Sequence, residues 1–180
     1  MSELSSLFVK LKMKQDSLKR FFEARPAAPI PDEDWAAWWN SRDMYSKSTL
    51  QDIPMSSAAS NGEVFESCLQ APETFSLIKT EEDIYIFTSL MFSENYYEIL
   101  PMLAVLKSVA QYMEPGEEGV AFIYDYFWGG AAVMAHLELS AGKAVLKHTK
   151  DTSEMDEVLV NEANAALQEA MDALSGKETD

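Results

Sequence analysis

Between residues 119 and 148, hydrophobic and polar side chains alternate in three short runs that are separated by turn-forming residues. Gly129-Gly130 separates the first run from the second, and Ala141-Gly142 separates the second from the third. Glycine suits the two-residue turns of hairpins, because their central residues need positive φ. Since side chains alternate between the two faces of a strand, the pattern predicts an antiparallel three-strand meander over residues 119–148.

The turns also predict a register for this meander. A hairpin closed at Gly129-Gly130 places Phe122 opposite Leu137 on an apolar face. A second hairpin, closed at Ala141-Gly142, places Leu137 opposite Leu146 on the same face. The other face then carries polar side chains, which are Asp125, His136, Glu138, Lys143 and Lys147. We therefore expect Phe122 and Leu137 to form a cross-strand core pair, and His136 to lie on the surface.

At the N-terminus, apolar side chains recur at intervals of three and four, which predicts an amphipathic helix over residues 3–24. These side chains are Leu4, Leu7, Phe8, Leu11, Leu18, Phe21 and Phe22. Lysines occupy much of the remaining surface, and a basic helix of this kind can bind a membrane or a partner groove. Docking on the protein's own core is the simpler interpretation. Three prolines between residues 26 and 31 then end the helix and form a stiff linker.

A second helix is predicted to begin at Asp32, a favourable N-cap residue followed by two more acidic residues in the first helical turn. Trp35, Trp38 and Trp39 fall on one face of this helix, since they are spaced by three and four residues. Such an aromatic stripe usually belongs to a core. The alternative is that an exposed indole anchors a partner protein.

The remaining pattern completes an α+β protein. Residues 45–62 are rich in serine and alanine and lack periodicity, so we expect a mobile loop. Helices are predicted over residues 63–70, 93–113 and 151–174. The second of these helices has Ser93 as its cap and contains Pro101. Strands are predicted over residues 74–79 and 84–92. We expect one domain over residues 1–180, with an antiparallel sheet of about five strands. N-terminal, central and C-terminal helices would cover one face of this sheet.

Charge divides the chain into two parts. The net charge is −16, but residues 1–30 hold six positive and three negative side chains, so residues 31–180 carry −19. An acidic body of this kind repels nucleic acid phosphates and anionic membrane surfaces, and it attracts a partner with a basic surface. The alternative is that acidity only maintains solubility. A single cysteine, no apolar run of about 18 residues and no evident signal peptide predict a cytoplasmic protein.

Motifs for catalysis are absent from the sequence: it has no glycine-rich phosphate loop, no nucleophile elbow and no paired-cysteine metal site. Cys68 has helical spacing from Val64 and Phe65, which favours a structural cysteine over a nucleophile. His148, Asp151 and Glu154 have a metal-like spacing, but the two acids are also typical of a helix start. We therefore predict no catalytic residue, no cofactor and no metal site.

These expectations favour a non-catalytic binding protein, most simply a stoichiometric inhibitor that neutralises a basic toxin or enzyme, as bacterial immunity proteins do. The alternatives are a secretion chaperone for an effector protein, or an enzyme with an unrecognised site. The predicted contact residues lie in two acidic turns, with a tryptophan as an aromatic anchor; they are Glu81, Glu82, Asp83, Glu114, Glu117, Glu118, Trp35 and Trp39. The sequence leaves open whether the protein is a monomer or a dimer.

Overall fold

A computed structural model of the protein describes residues 4–43, 47, 49–50 and 52–178. Six strands form one antiparallel sheet in the order β2-β3-β1-β4-β5-β6. The strands are β1 Ser5–Lys12, β2 Ser76–Glu81, β3 Ile84–Ser93, β4 Glu118–Tyr124, β5 Val133–Ser140 and β6 Lys143–Lys147. The α-helices are α1 Gln15–Glu23, α2 Glu33–Ser41, α3 Asn61–Gln70, α4 Tyr96–Ser108 and α5 Glu157–Glu178. The predicted α+β class is confirmed, with one strand more than expected.

The additional strand is β1, which lies in the middle of the sheet between β3 and β4. The helix predicted over residues 3–24 is therefore wrong in its first half. Leu7, Val9 and Leu11 face one side of the sheet, whereas Phe8 faces the other side. Both faces of a central strand are buried, so apolar residues crowd together and imitate the three- and four-residue spacing of a helix.

Helices cover both faces of the sheet, and the expectation of a single covered face is wrong. The face that carries Leu7 and Val9 packs against α1 to α4, and α5 covers the face that carries Phe8 and Phe122. Small side chains of α5 let the helix approach the sheet closely; they are Ala163, Ala166 and Ala170. An ion pair of 2.6 Å between Lys10 Nζ and Glu162 Oε1 also joins α5 to β1.

The meander is confirmed as β4, β5 and β6, but the register of its first hairpin differs by one residue from the prediction. Phe122 lies opposite His136, and Leu137 lies opposite Ala121. Phe122 and Leu137 therefore face opposite sides of the sheet, and the predicted core pair is wrong. The second hairpin has the predicted register, with Leu137 opposite Leu146.

The first hairpin differs because a loop over residues 125–132, rather than a two-residue turn, joins β4 to β5. Gly129 N–H donates to Tyr126 O at 3.0 Å, so the turn ends at the glycine pair instead of being centred on it. A Cβ atom at Gly130 would lie 2.2 Å from Asp125 Oδ2, so any other residue there would require the Asp125 side chain to move. A register shift between Ile123 and Tyr124 moves the pairing further.

The helices predicted from Asp32 and over residues 63–70 are confirmed within a few residues as α2 and α3, and the strands predicted over residues 74–79 and 84–92 are confirmed as β2 and β3. The Asp32 carboxylate caps α2 by accepting a hydrogen bond of 3.0 Å from Trp35 N–H. Asn95, rather than Ser93, caps α4, and Pro101 lies inside that helix. Helix α5 begins at Glu157 instead of residue 151, because Asp151 caps a separate short 3-10 helix, Thr152–Glu154.

The serine- and alanine-rich segment over residues 45–62 is only partly described. Its residues 47, 49–50 and 52–60 lie outside helices and strands, and α3 begins at Asn61. Residues 45–46, 48 and 51 lie outside the described residues. Within the described part of the chain, none of the helices is both long enough and apolar enough to span a bilayer.

Candidate functional site

Strand β1 brings the two predicted acidic turns together at one end of the sheet. At the end of β1, Lys12 lies opposite Ile84 of β3 on one side and opposite Glu118 of β4 on the other. The turn between β2 and β3 and the turn before β4 therefore lie on either side of β1. We call their six carboxylates the acidic rim; they belong to Glu81, Glu82, Asp83, Glu114, Glu117 and Glu118.

Hydrogen bonds from the residues after β1 hold both turns in place. Met13 N–H donates to Asp83 O at 2.9 Å, and the Gln15 side-chain amide donates to Glu82 O at 3.1 Å. On the other side, Lys14 N–H donates to the Glu117 carboxylate. Both turns of the acidic rim therefore contact the same short β1–α1 connection, which links its two halves.

The acidic rim keeps an excess of negative charge. Its lysine contacts are Lys14 Nζ to Glu114 Oε2 at 3.0 Å and Lys12 Nζ to Glu118 Oε1 at 3.7 Å. The hydrogen bond and positive charge of Lys14 lower the pKa of Glu114. Within the described residues, no ion pair reaches Glu81, Glu82 or Asp83, and all three are exposed.

The turn between β2 and β3 also holds a strained backbone. Glu82 has a φ of 53°, which is the left-handed region that glycine and asparagine adopt most easily. A glutamate at this position costs stability that glycine would not cost. The strained residue is thus one that presents a charge to solvent.

The tryptophans predicted as possible anchors belong to the core. Trp35 and Trp39 are 3% and 7% exposed, and Trp38 between them is fully buried. Trp39 packs edge-on against Tyr96 at 5.6 Å between ring centroids, and Lys107 Nζ lies 4.7 Å from the Trp35 ring centroid. Neither indole offers a surface to a partner, which agrees with the core interpretation of the stripe and removes Trp35 and Trp39 from the candidate contacts.

Sequence reasoning missed the one exposed indole. Trp128 lies in the loop over residues 125–132, is 53% exposed and packs edge-on against Phe127. This loop follows the C-terminal end of β4, whereas the acidic rim lies at the N-terminal end of the same strand. The signal for it is the aromatic run immediately before Gly129-Gly130, which a two-residue turn places in a strand and the longer loop places on the surface.

Of the candidates for catalysis and metal binding, Cys68 packs against the core, Asp151 and Glu154 cap a short helix, and His148 is exposed. Burial raises the pKa of the Cys68 thiol, which disfavours a nucleophilic thiolate. His136 is buried rather than on the surface, and its Nδ1 hydrogen-bonds Thr149 Oγ1 at 2.8 Å. The Asp151 and Glu154 carboxylates form a capping box. Among the described residues, no group of three or more His, Cys, Asp or Glu side chains is placed to hold a metal ion.

Comparison of the chain with protein families, with curated proteins and with solved structures found no significant match. The acidic rim is therefore described by its own chemistry: a group of carboxylates on two hydrogen-bonded turns at one end of an antiparallel sheet.

Proposed function

We propose that the protein is a non-catalytic binding protein, whose acidic rim takes up a basic surface of one protein partner. Stoichiometric inhibitors of basic enzymes, such as bacterial immunity proteins that neutralise toxins, work in this way. The observation that supports the proposal is the convergence of two sequence-distant acidic turns on β1. A cytoplasmic location, in which the Cys68 thiol stays reduced, belongs to the same proposal.

Electrostatics gives this arrangement a defined role in binding. A net charge of −16 attracts a cationic partner over the Debye length, which is about 8 Å at physiological salt. The acidic rim then orients the partner at short range, and the backbones of the turns that carry it are already held by hydrogen bonds to the β1–α1 connection. The expected complex has one molecule of each partner and an association rate that falls as salt rises.

Affinity capture with matched variants tests the proposal. The rim variant carries Glu81→Gln, Glu82→Gln and Asp83→Asn, and the control variant carries Glu33→Gln, Glu66→Gln and Glu157→Gln at other exposed positions. Each variant loses three negative charges, so a difference between them reports the position of the charges rather than the net charge. We expect the wild type and the control variant to retain one folded basic protein at one-to-one stoichiometry in low salt.

The rim variant should recover at least about tenfold less of that protein, because three surface charges act together at one contact. Equal recovery by the rim and control variants would show that the acidic rim is not the recognition site. Circular dichroism melting curves of all three proteins exclude unfolding as the cause.

A second function, a chaperone for an unfolded protein segment, is supported by a different feature. A groove of about 600 Å³ lies between α3, α4 and the end of β3, and its lining includes Met55, Met91 and Met102. Methionine-rich surfaces adapt to varied apolar sequences. A stable dimer in size-exclusion chromatography, together with capture of an unfolded segment by wild type and rim variant alike, would favour this function.

A further inference from the structure

Strand β2 forms one outer edge of the sheet. The pairing of β2 with β3 shows which of its residues direct their backbone groups away from the sheet. Leu90 N–H donates to Phe75 O, and Ser76 lies opposite Ser89 in the ladder that follows. Backbone groups in an antiparallel pair alternate between the partner strand and the outside. Ile78 and Thr80 therefore direct their N–H and C=O groups away from β3, and no other segment of the described chain hydrogen-bonds to them.

The opposite edge of the same sheet is covered. Leu146 N–H of β6 donates to both carboxylate oxygens of Asp34, at 3.1 and 3.2 Å. Asp34 in turn forms an ion pair of 2.6 Å with Lys107. Helix α2 thus supplies a side chain to the β6 edge, whereas β2 lacks such a cover among the described residues. An unprotected edge is a site at which another strand can pair.

A groove runs beside the open edge on the α5 side. It has a volume of about 210 Å³, and its apolar lining comprises Leu77, Ile86, Ala165 and Ala166. Leu77 is 39% exposed and Ile78, on the other face of β2, is 41% exposed. An added strand would place alternate side chains in this groove and over Ile78, respectively.

The acidic rim lies at the end of this edge. Glu81 is the last residue of β2, and Glu82 and Asp83 form the turn that follows. Main-chain hydrogen bonds along the edge, a side-chain groove and fixed carboxylates together match the recognition of an extended basic peptide. A second copy of this chain fits less well, because each copy carries a net charge of −16.

We propose that β2 accepts an extended, basic segment of the partner protein as an additional strand of the sheet. Apolar side chains of that segment lie in the groove against Leu77 and Ala165, and its lysine or arginine side chains lie on the other face and beside the acidic rim. This inference rests on the proposed function, since it names the part of the partner that the acidic rim recognises.

The test uses a defined probe and the full chain. The probe is a ten-residue peptide of alternating lysine and valine with blocked ends. Its control has the same sequence with all backbone nitrogens methylated, which keeps the charges but removes the hydrogen-bond donors. Titration calorimetry measures binding, and NMR hydrogen exchange measures the amides of Ile78 and Thr80. We expect these two amides to exchange at least about tenfold more slowly with the probe, and the methylated peptide to bind at least about tenfold more weakly.

Two matched variants test whether the peptide binds in the groove. Ala165→Phe fills it with an aromatic ring at an exposed position of α5, and Ala173→Phe adds the same ring at an exposed position that does not line the groove. We expect Ala165→Phe to weaken binding of the probe at least about fivefold and Ala173→Phe to leave it unchanged. Both variants should keep the wild-type melting temperature within a few degrees, because neither position is buried.

Each contrary outcome has a distinct meaning. Equal binding of both peptides, or binding without protection of Ile78 and Thr80, overturns strand addition while the acidic rim remains a site for basic surfaces. Absence of binding by the lysine–valine probe also overturns strand addition. Protection of the two amides in the protein alone, rising with its concentration, would assign the edge to a second copy. Failure of the proposed function is seen in a different experiment: the rim variant would then capture as much of the partner protein as the wild type does.

Discussion

Phe8 of β1 lies directly opposite Phe122 of β4, and the centroids of their rings are 5.3 Å apart. Both rings are buried under α5, whereas Leu137 is buried on the opposite face of the sheet. The central strand and the meander therefore share a core under α5, and the pair provides a direct test of the observed register.

We expect Phe8→Ala and Phe122→Ala each to lower the free energy of unfolding by about 3–5 kcal/mol. Because the rings touch, a double-mutant cycle should show a coupling of about 0.5–1.5 kcal/mol between them. The same cycle for Phe122 and Leu137 should be additive within about 0.5 kcal/mol, since the sheet separates them. Urea unfolding supplies all the values, and strong coupling of Phe122 with Leu137 would support the register predicted from sequence instead.

The contrast between the two hairpins shows what sequence could predict. The second hairpin has a short turn at Ala141-Gly142, so the alternating pattern and the turn together determine its register. The first hairpin has a longer loop and a register shift, and a glycine pair does not reveal either of them. Strand β1 was missed for a non-local reason: its neighbours, β3 and β4, lie far away in sequence, and only their pairing buries both of its faces.

The candidate site was predictable in composition but not in arrangement. Both acidic turns could be identified in the sequence, because they follow and precede strands and carry consecutive carboxylates. The two turns come together only because β1 lies between β3 and β4. The predicted N-terminal helix leaves out this strand, so it gives no reason to place Glu82 near Glu117. The exposure of Trp128 and the open edge of β2 depend on loop geometry and strand order, which local patterns do not contain.

The buried His136 predicts a pH dependence of stability. Burial lowers the pKa of His136 from its ordinary value of about 6.5, mainly through desolvation of the charged ring. Below about pH 6.5 the unfolded chain therefore binds a proton that the folded protein does not, so the free energy of unfolding decreases as pH falls through this range. Urea unfolding from pH 5 to pH 8 should show this slope in the wild type.

The two histidines of the chain provide the control for this measurement. His136→Gln should remove most of the slope between pH 5 and pH 7, whereas His148→Gln, at an exposed position, should retain it. An unchanged slope in the His136→Gln protein would show that another group carries the dependence.

Replacing Glu82 by glycine should affect protein stability and peptide binding differently. Its left-handed φ of 53° means that Glu82→Gly relieves backbone strain, so this change should leave stability unchanged or raise it by up to about 1 kcal/mol. Glu81→Gly, within β2, is the matched control and should lower stability by about 0.5–1 kcal/mol. Thermal unfolding measures both effects. Both variants should bind the lysine–valine peptide more weakly, because each removes a carboxylate of the acidic rim. A marked loss of stability in Glu82→Gly would contradict the conclusion that the backbone at residue 82 is strained.

Replacing a buried and an exposed tryptophan by alanine should change stability by very different amounts. Trp35→Ala removes a buried ring and should lower the free energy of unfolding by about 3–5 kcal/mol, whereas Trp128→Ala should change it by less than about 1 kcal/mol. Chemical unfolding followed by far-ultraviolet circular dichroism measures both without relying on indole fluorescence. Similar losses for the two variants would mean that the loop over residues 125–132 packs more tightly than the exposure of Trp128 indicates.

Salt dependence tests whether the acidic rim steers association. With the captured partner, the association rate measured by stopped flow should fall at least about tenfold as salt rises from tens to hundreds of millimolar, because the Debye length shortens from well above 10 Å to below it. Dissociation should change much less, since short-range contacts govern it. The rim variant should show a shallower dependence than the control variant, although both have lost three charges. An association rate that stays flat across this range would mean that the charge of −16 serves solubility alone.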